Sequence, residues 1–254
     1  IIPIWILVGT MTDSASMLAE TRVCDIVTEL PVRAAVLSQF GIDFCCGGRE
    51  TLSQVCEEKG IEIEDVTSQI ANIDSMNNNS VRSEFDNMSS TELCDHIENT
   101  HHNFLKRHLP ITSLHAEKVA RVHGEREPHL KEIAHVFGDL KAELEPHMMK
   151  EEQILFPLIR LLDSSTTLPE VHCGSVRNPI RAMFYEHDLA GQALSKLREL
   201  TNSYTPPDHA CNTYRALFGE LELLEKDTHI HIHKENHVLF VKAQEIERRL
   251  MGKE

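Results

Sequence analysis

The chain has 254 residues, 41% of them hydrophobic, which is enough to bury a substantial core and excludes a disordered polymer. Aromatics are only 5%, and 25 Lys and Arg against 40 Asp and Glu leave a formal charge of −15. That balance disfavours non-specific binding to nucleic acid or to an anionic membrane, and sixteen histidines are more than bulk composition explains.

Residues 1–8 are uniformly apolar but fall far short of the roughly 20 residues of a spanning helix. Pro3 interrupts them and no basic flank marks a secretory signal. Residues 1–10 read as an upstream extension, with a weak signal segment as the alternative. Seven cysteines are an odd number and lack the even framework of a small secreted scaffold, so a reducing cytoplasm fits.

Residues 16–73 carry short helical patterns punctuated by Pro31, Gly41, Gly47, Gly48 and Gly60, and read as a compact domain of small helices. Within it, Cys45 and Cys46 are adjacent and flanked by glycines, which permit unusual backbone angles. Exposed thiolates are redox-active, so the pair reads as redox thiols or a transient metal handoff; the alternative is a buried cysteine beside a glycine turn. No Cys-x-x-Cys supports a cysteine-held cluster, and Cys45-Cys46-Gly47-Gly48-Arg49 lacks the ending of a phosphate loop. Residues 72–90, centred on Asn77-Asn78-Asn79-Ser80, form a polar linker.

Four long helical patterns occupy residues 89–251. The first opens at Ser89-Ser90-Thr91-Glu92, the spacing of a capping box. It runs to about residue 108, is bent or interrupted by Pro110, and resumes to 122. The second covers about 128–162, with kinks or local adjustment expected at Pro146 and Pro157. The third covers about 179–200 and the fourth about 208–251. The expected fold is all-α: a small helical N-terminal domain followed by an antiparallel four-helix bundle.

An inward helix face recurs at alternating steps of four and three. Leu140, Leu144, His147, Glu151, Ile154 and Leu158 follow that rule, as do Leu217, Leu221, Leu224, Thr228, His231, Glu235 and Val238. Two helices thus place a His-x-x-x-Glu pair where apolar residues belong. The third helix adds His187 to its inward row and the first adds His102. Unpaired buried carboxylates and imidazoles cost several kcal/mol each, on the order of the transfer penalty for polar groups. Two divalent ions would satisfy all six; a buried network of salt bridges is the alternative. Nitrogen and oxygen donors without thiolate suit iron or manganese better than structural zinc, and histidine-rich carboxylate sites favour iron. His229 and His233, flanking His231, read as solvated. His123, at the end of the first helical arm beside Gly124, reads as a guard at an entrance to the metal pair.

Phe40-Gly41-Ile42-Asp43-Phe44-Cys45-Cys46-Gly47-Gly48 and His147-Met148-Met149-Lys150-Glu151-Glu152-Gln153-Ile154-Leu155-Phe156-Pro157 resemble two signatures of the Repair of Iron Centres family. Weaker echoes are His101-His102, Glu186-His187-Asp188 and the run from His231 to Phe240. These proteins join a small ScdA-type domain to a hemerythrin-like bundle, and the likeness covers roughly residues 21–250. The resemblance implies ligands at His102, His147, Glu151, His187, His231 and Glu235, with the glutamates bridging two iron ions of a non-haem, carboxylate- and oxo-bridged centre. It places Cys45 and Cys46 on the family's cysteine pair and His123 on a further histidine near the metal site. It further implies a cytoplasmic stress protein that restores damaged iron–sulfur proteins, either by reducing nitric oxide or by donating iron. A hemerythrin-like module that holds dioxygen or nitric oxide without turnover is the alternative, and an iron-storage or structural bundle is a third reading. A homodimer through an exposed helix face is compatible with either. No nucleic-acid or membrane partner is expected.

Overall fold

The computed structural model describes residues 16–76, 85, 87–170 and 172–252. The expected extension at residues 1–10 and the asparagine run at 77–79 lie outside them. Every regular element among the described residues is helical, with one isolated bridge between Arg22 and Thr51. No helix there is long and apolar enough to cross a membrane. The chain divides into two compact units, residues 1–87 and 88–254.

In the first unit, α1 (Val23–Glu29), a 3-10 turn (Pro31–Arg33), α2 (Ala34–Gln39), α3 (Leu52–Lys59) and α4 (Ile63–Met76) surround a small core. Val23, Ile26, Leu37, Phe44, Leu52, Val66 and Ile70 are buried in it. Thr51 and Gln54 form a reciprocal capping box that starts α3, and Gly60 at φ +65° stops it. Residues 72–76, expected in the polar linker, instead complete α4. Asp74 is held there by Arg33 at 2.8 Å, a tertiary contact that local composition does not register.

The second unit is built from four helical rods. The first comprises α5 (Ser90–Ile97), a π turn (Glu98–His102) and α6 (Asn103–His123). The second comprises α7 (His129–Lys150), a π turn (Glu151–Leu155) and α8 (Phe156–Ser164). The third is α9 (Arg177–Leu200), and the fourth comprises α10 (Asn212–Lys234), a π turn (Glu235–Leu239) and α11 (Phe240–Leu250). α5 packs on α8 while α6 packs on α7, so the first two rods run antiparallel. α9 packs on α7, and α10 packs on α6. Ser89 and Glu92 form the capping box that opens α5. Asp163, at the end of the second rod, accepts from the Thr91 N–H at 2.9 Å and its hydroxyl at 2.7 Å.

Pro110 does not interrupt the first rod. α6 continues through it, because both Pro110 and Lys106, whose carbonyl loses its helical donor, lie on the exposed side. Pro146 is likewise exposed inside α7. Pro157 follows a π turn and sits in the first turn of α8, where a missing N–H does least harm.

The π turns also correct the inward stripe. A π turn adds one residue to the helical turn, so the face advances by one after Glu151. Leu155 is 1% exposed, whereas Ile154, expected inside, is 58% exposed.

Candidate metal centre

Each of three rods bends its backbone into a π turn at the buried polar layer. His102 ends one, and Glu151 and Glu235 each begin one. With His147, His187 and His231 they form a layer in which every member is nearly inaccessible and both glutamates are fully so. Donor atoms of His102, Glu151, His231 and Glu235 lie within 4.8 Å of one another, and so do those of His147, Glu151, His187 and Glu235. Both glutamates belong to both sets.

The carboxylates are placed to share. Glu151 Oε2 lies 3.3 Å from His102 Nε2 and 3.4 Å from His147 Nε2. Glu235 divides its oxygens, Oε1 lying 2.9 Å from His231 Nε2 and Oε2 3.2 Å from His187 Nε2. Both oxygens of Glu151, Oε2 of Glu235 and Nε2 of His102 are buried without a hydrogen-bond partner among the described residues. Buried polar atoms are almost always satisfied, so this concentration in one layer fits a pair of cations. Each set offers two imidazoles and two carboxylates and no sulfur, a hard-to-borderline donor set suited to non-haem iron.

A second ring of residues holds the imidazoles. His102 Nδ1 donates to Glu152 at 2.8 Å, and Lys106 clamps that carboxylate at 2.6 and 2.8 Å. His147 Nδ1 donates to Glu186 at 2.9 Å, which Lys150 clamps at 2.6 Å. His187 Nδ1 donates to Asn236 at 2.8 Å. Such partners orient a ligating ring and leave Nε2 for the metal.

The field of this layer is read in its ionisations. The hydrogen bond from His147 pulls Glu186 down to about 2, with Lys150 assisting against the opposing effect of burial. Burial disfavours the charged form of His187, yet its 3.2 Å approach to Glu235 and the charges of Glu235 and Glu151 outweigh this and raise it to about 9.

Glu152, Glu186 and Asn236 are not on the inward stripe and went unread in the sequence. The available signal was adjacency: each is the chain neighbour of a stripe residue on one rod and supports a histidine of another. His101 is buried too, its Nδ1 donating to Asp227 at 2.9 Å and its Nε2 accepting from Lys234 at 2.9 Å. Lys234 also donates to His96 at 2.8 Å. His233, expected in solvent, is 5% exposed, because the fourth rod is buried at every position from 231 to 236.

His123 is not at this layer. α6 is 21 residues long, and at about 1.5 Å per residue it carries His123 roughly 30 Å from His102. Its Nε2 instead meets Cys211 Sγ at 3.5 Å and its ring lies 5.7 Å from that of Tyr214. An entrance role drawn from sequence is therefore corrected by the helical rise alone. A cavity of about 220 Å³ does lie beside the layer, between α7 and α9, walled by Leu144, Pro146, His147, His187 and Ala190, with Lys150 and Glu186 also lining it.

In the N-terminal unit, Cys45 Sγ and Cys46 Sγ lie 3.5 Å apart, and no disulfide joins them. Asp43 accepts from the N–H groups of Cys45, Cys46 and Gly47 at 2.8, 3.0 and 2.9 Å. A Cβ on Gly48 would stand 2.6 Å from the Phe44 carbonyl oxygen, so only glycine closes this turn. Burial, the neighbouring thiol and the Asp43 charge raise Cys45 well above the ordinary thiol range. Asp43, Cys45 and Cys46 form a third cluster of close donor atoms.

Residues 19–74 match the family ScdA_N, described as a domain of unknown function (DUF542), and residues 93–243 match the Hemerythrin HHE cation binding domain. The iron-sulfur cluster repair protein ScdA of Staphylococcus haemolyticus is 30% identical over 88% of this chain and 97% of its own length. The iron-sulfur cluster repair protein YtfE of Escherichia coli O8 is 33% identical over 86% of this chain and 94% of its own. A probable iron-sulfur cluster repair protein of Haemophilus influenzae is 31% identical over 87% and 96%.

Proposed function

The chain belongs to the ScdA/YtfE iron-sulfur cluster repair family, and from that premise we propose that it repairs damaged iron–sulfur clusters through a buried non-haem di-iron centre. The observation that carries the reading is the layer of two carboxylates and four imidazoles, divided into two donor sets that share both acids. In this proposal His102 and His231 would hold one iron and His147 and His187 the other, with Glu151 and Glu235 serving both. When bound, the centre would supply two ferrous ions, each able to give one electron or to be released.

This chain's own residues set the conditions for that chemistry. Glu151 and Glu235 provide negative charge where solvent cannot. Glu152, Glu186 and Asn236 keep protons on three distal nitrogens and lone pairs directed inward. The mostly apolar cavity beside His147 and His187 suits a small neutral molecule such as nitric oxide or dioxygen. Cys45 and Cys46 are proposed as redox thiols. Half-buried Cys46 is the more accessible, and burial, the Cys46 thiol and the Asp43 charge hold Cys45 as the thiol. An odd count of seven cysteines, without the even framework of a small secreted scaffold, accords with a reducing, cytoplasmic setting. The partners are damaged iron–sulfur proteins, repaired by iron donation or by removal of nitric oxide.

The test begins with metal analysis of anaerobically prepared, iron-replete protein. Two irons per chain are expected, and zinc or no metal would end the di-iron assignment. A purified, nitric-oxide-damaged cluster enzyme should then regain activity when the protein is added. Stopped-flow mixing of the diferrous form with nitric oxide separates the routes. Release of nitrous oxide marks reduction. A stable adduct with no repair would favour the gas-binding reading suggested by the cavity.

A further inference from the structure

The two iron positions are built on a similar plan, against which a difference in the support of their histidines stands out. Each has a histidine backed by a carboxylate that a lysine clamps: His102–Glu152–Lys106 in one, His147–Glu186–Lys150 in the other. The remaining histidines differ. His187 Nδ1 donates to the Asn236 side-chain oxygen at 2.8 Å. His231 Nδ1 is buried with no hydrogen-bond partner among the described residues. Its ring stacks on His101, centroids 5.3 Å apart and planes 2° from parallel, as the ring of His187 stacks on Phe240 at 6.1 Å and 1°. Behind His101 stands the side chain of Lys234, a donor, where the other position has an acceptor.

A neutral imidazole that gives Nε2 to a metal must carry its proton on Nδ1. For His187 that proton already has a partner. For His231 it would be buried unpaired, whereas the contact that Nε2 must give up to Glu235 is common to both, 2.9 Å for His231 and 3.2 Å for His187. We propose that the two positions fill in order, the His147/His187 position first and the His102/His231 position second. The proposal rests on the di-iron reading above. The missing support corresponds to a difference of about tenfold to a hundredfold in affinity, the usual effect of losing such a partner.

The experiment uses the full-length protein, dialysed to equilibrium at one and at two iron equivalents and crystallised anaerobically. Anomalous difference maps at the iron edge then locate the metal. At one equivalent, density is expected mainly at the His147/His187 position, with about a tenth to a third as much at the other. Equal densities, or the reverse preference, would overturn the ordering. Absence of iron from both positions at two equivalents would overturn the di-iron reading and the ordering with it. Asn236→Leu provides a second arm. It removes the acceptor for His187 Nδ1, so the preference should collapse toward equal occupancy; an unchanged preference would show that Asn236 is not its source and would overturn the ordering argument.

Discussion

Asp43 in the N-terminal unit and Glu151 in the bundle are both acids set among metal-binding residue types, but their oxygens are used differently. Asp43 spends both oxygens on backbone: Oδ1 accepts from Cys45 and Cys46, Oδ2 from Gly47, and the Cys45 thiol adds a contact at 3.2 Å. Glu151 is fully buried, and neither of its oxygens has a hydrogen-bond partner among the described residues. A satisfied acid shapes a turn. An unsatisfied one in a dry layer, flanked by imidazoles, stores an electrostatic demand that a cation meets.

Removing the acids is the most severe way to break this contrast. Glu151→Ala and Glu235→Ala should each leave fewer than one iron per chain, whereas His102→Ala should retain about one. Each glutamate serves both donor sets and offsets charge at both ions, whose repulsion is strengthened where water is excluded. His102 belongs to one set only. Asp43→Ala should leave both irons in place. Plasma-emission counts and Mössbauer spectra of the four variants decide, and two normally coupled irons in Glu151→Ala would refute bridging by that residue.

The π turn that begins at Glu151 is the next point of attack. With the stripe advanced by one residue, Leu155→Ala should cost about 2–5 kcal/mol. Ile154→Ala should stay within about 0.5 kcal/mol. Hydrogen exchange of bundle amides in the full-length, metal-free protein measures both, and the opposite order would restore an unbroken α-helical register. A smaller effect belongs to the outer ring: Glu186→Gln should weaken iron binding about 10- to 100-fold, roughly 1.4–2.8 kcal/mol, by competition with a ferrous chelator.

These experiments also mark where sequence reasoning stopped. Helical period alone put His102, His147, Glu151, His187, His231 and Glu235 on inward faces, and in the structure these six meet in one layer. A period, however, presumes a regular helix. It misassigned Ile154 because nothing local distinguishes a π turn, and it passed over Glu152, Glu186 and Asn236 because they act on other rods. The burial of His233 was hidden too, since a pattern within one helix does not register what packs against it. Likewise, α4 ran into the expected linker on the strength of Arg33, 41 residues away from Asp74. Patterns within one helix were legible, and contacts between helices were not.

The mildest prediction tests the satisfied side of the contrast. Burial disfavours the Asp43 charge, but the N–H groups of Cys46 and Cys45, the Cys45 thiol and the Gly47 N–H outweigh it and hold the carboxylate below its ordinary range. A group whose pKa is depressed on folding contributes stability that is present above its unfolded value and is lost as pH falls through the folded one. Asp43→Asn keeps one acceptor but turns a donor toward the Gly47 N–H. It should therefore cost the N-terminal unit about 1–2 kcal/mol at neutral pH, and that cost should shrink as the wild-type carboxylate is protonated below about pH 4, near the unfolded value for aspartate. Hydrogen exchange of the Cys45, Cys46 and Gly47 amides in the full-length protein, followed from neutral to acid pH, reads the effect at its source. Protection that is the same in both proteins at neutral pH would mean that the turn is held by Gly48 and the surrounding core, and that the Asp43 charge contributes nothing to it.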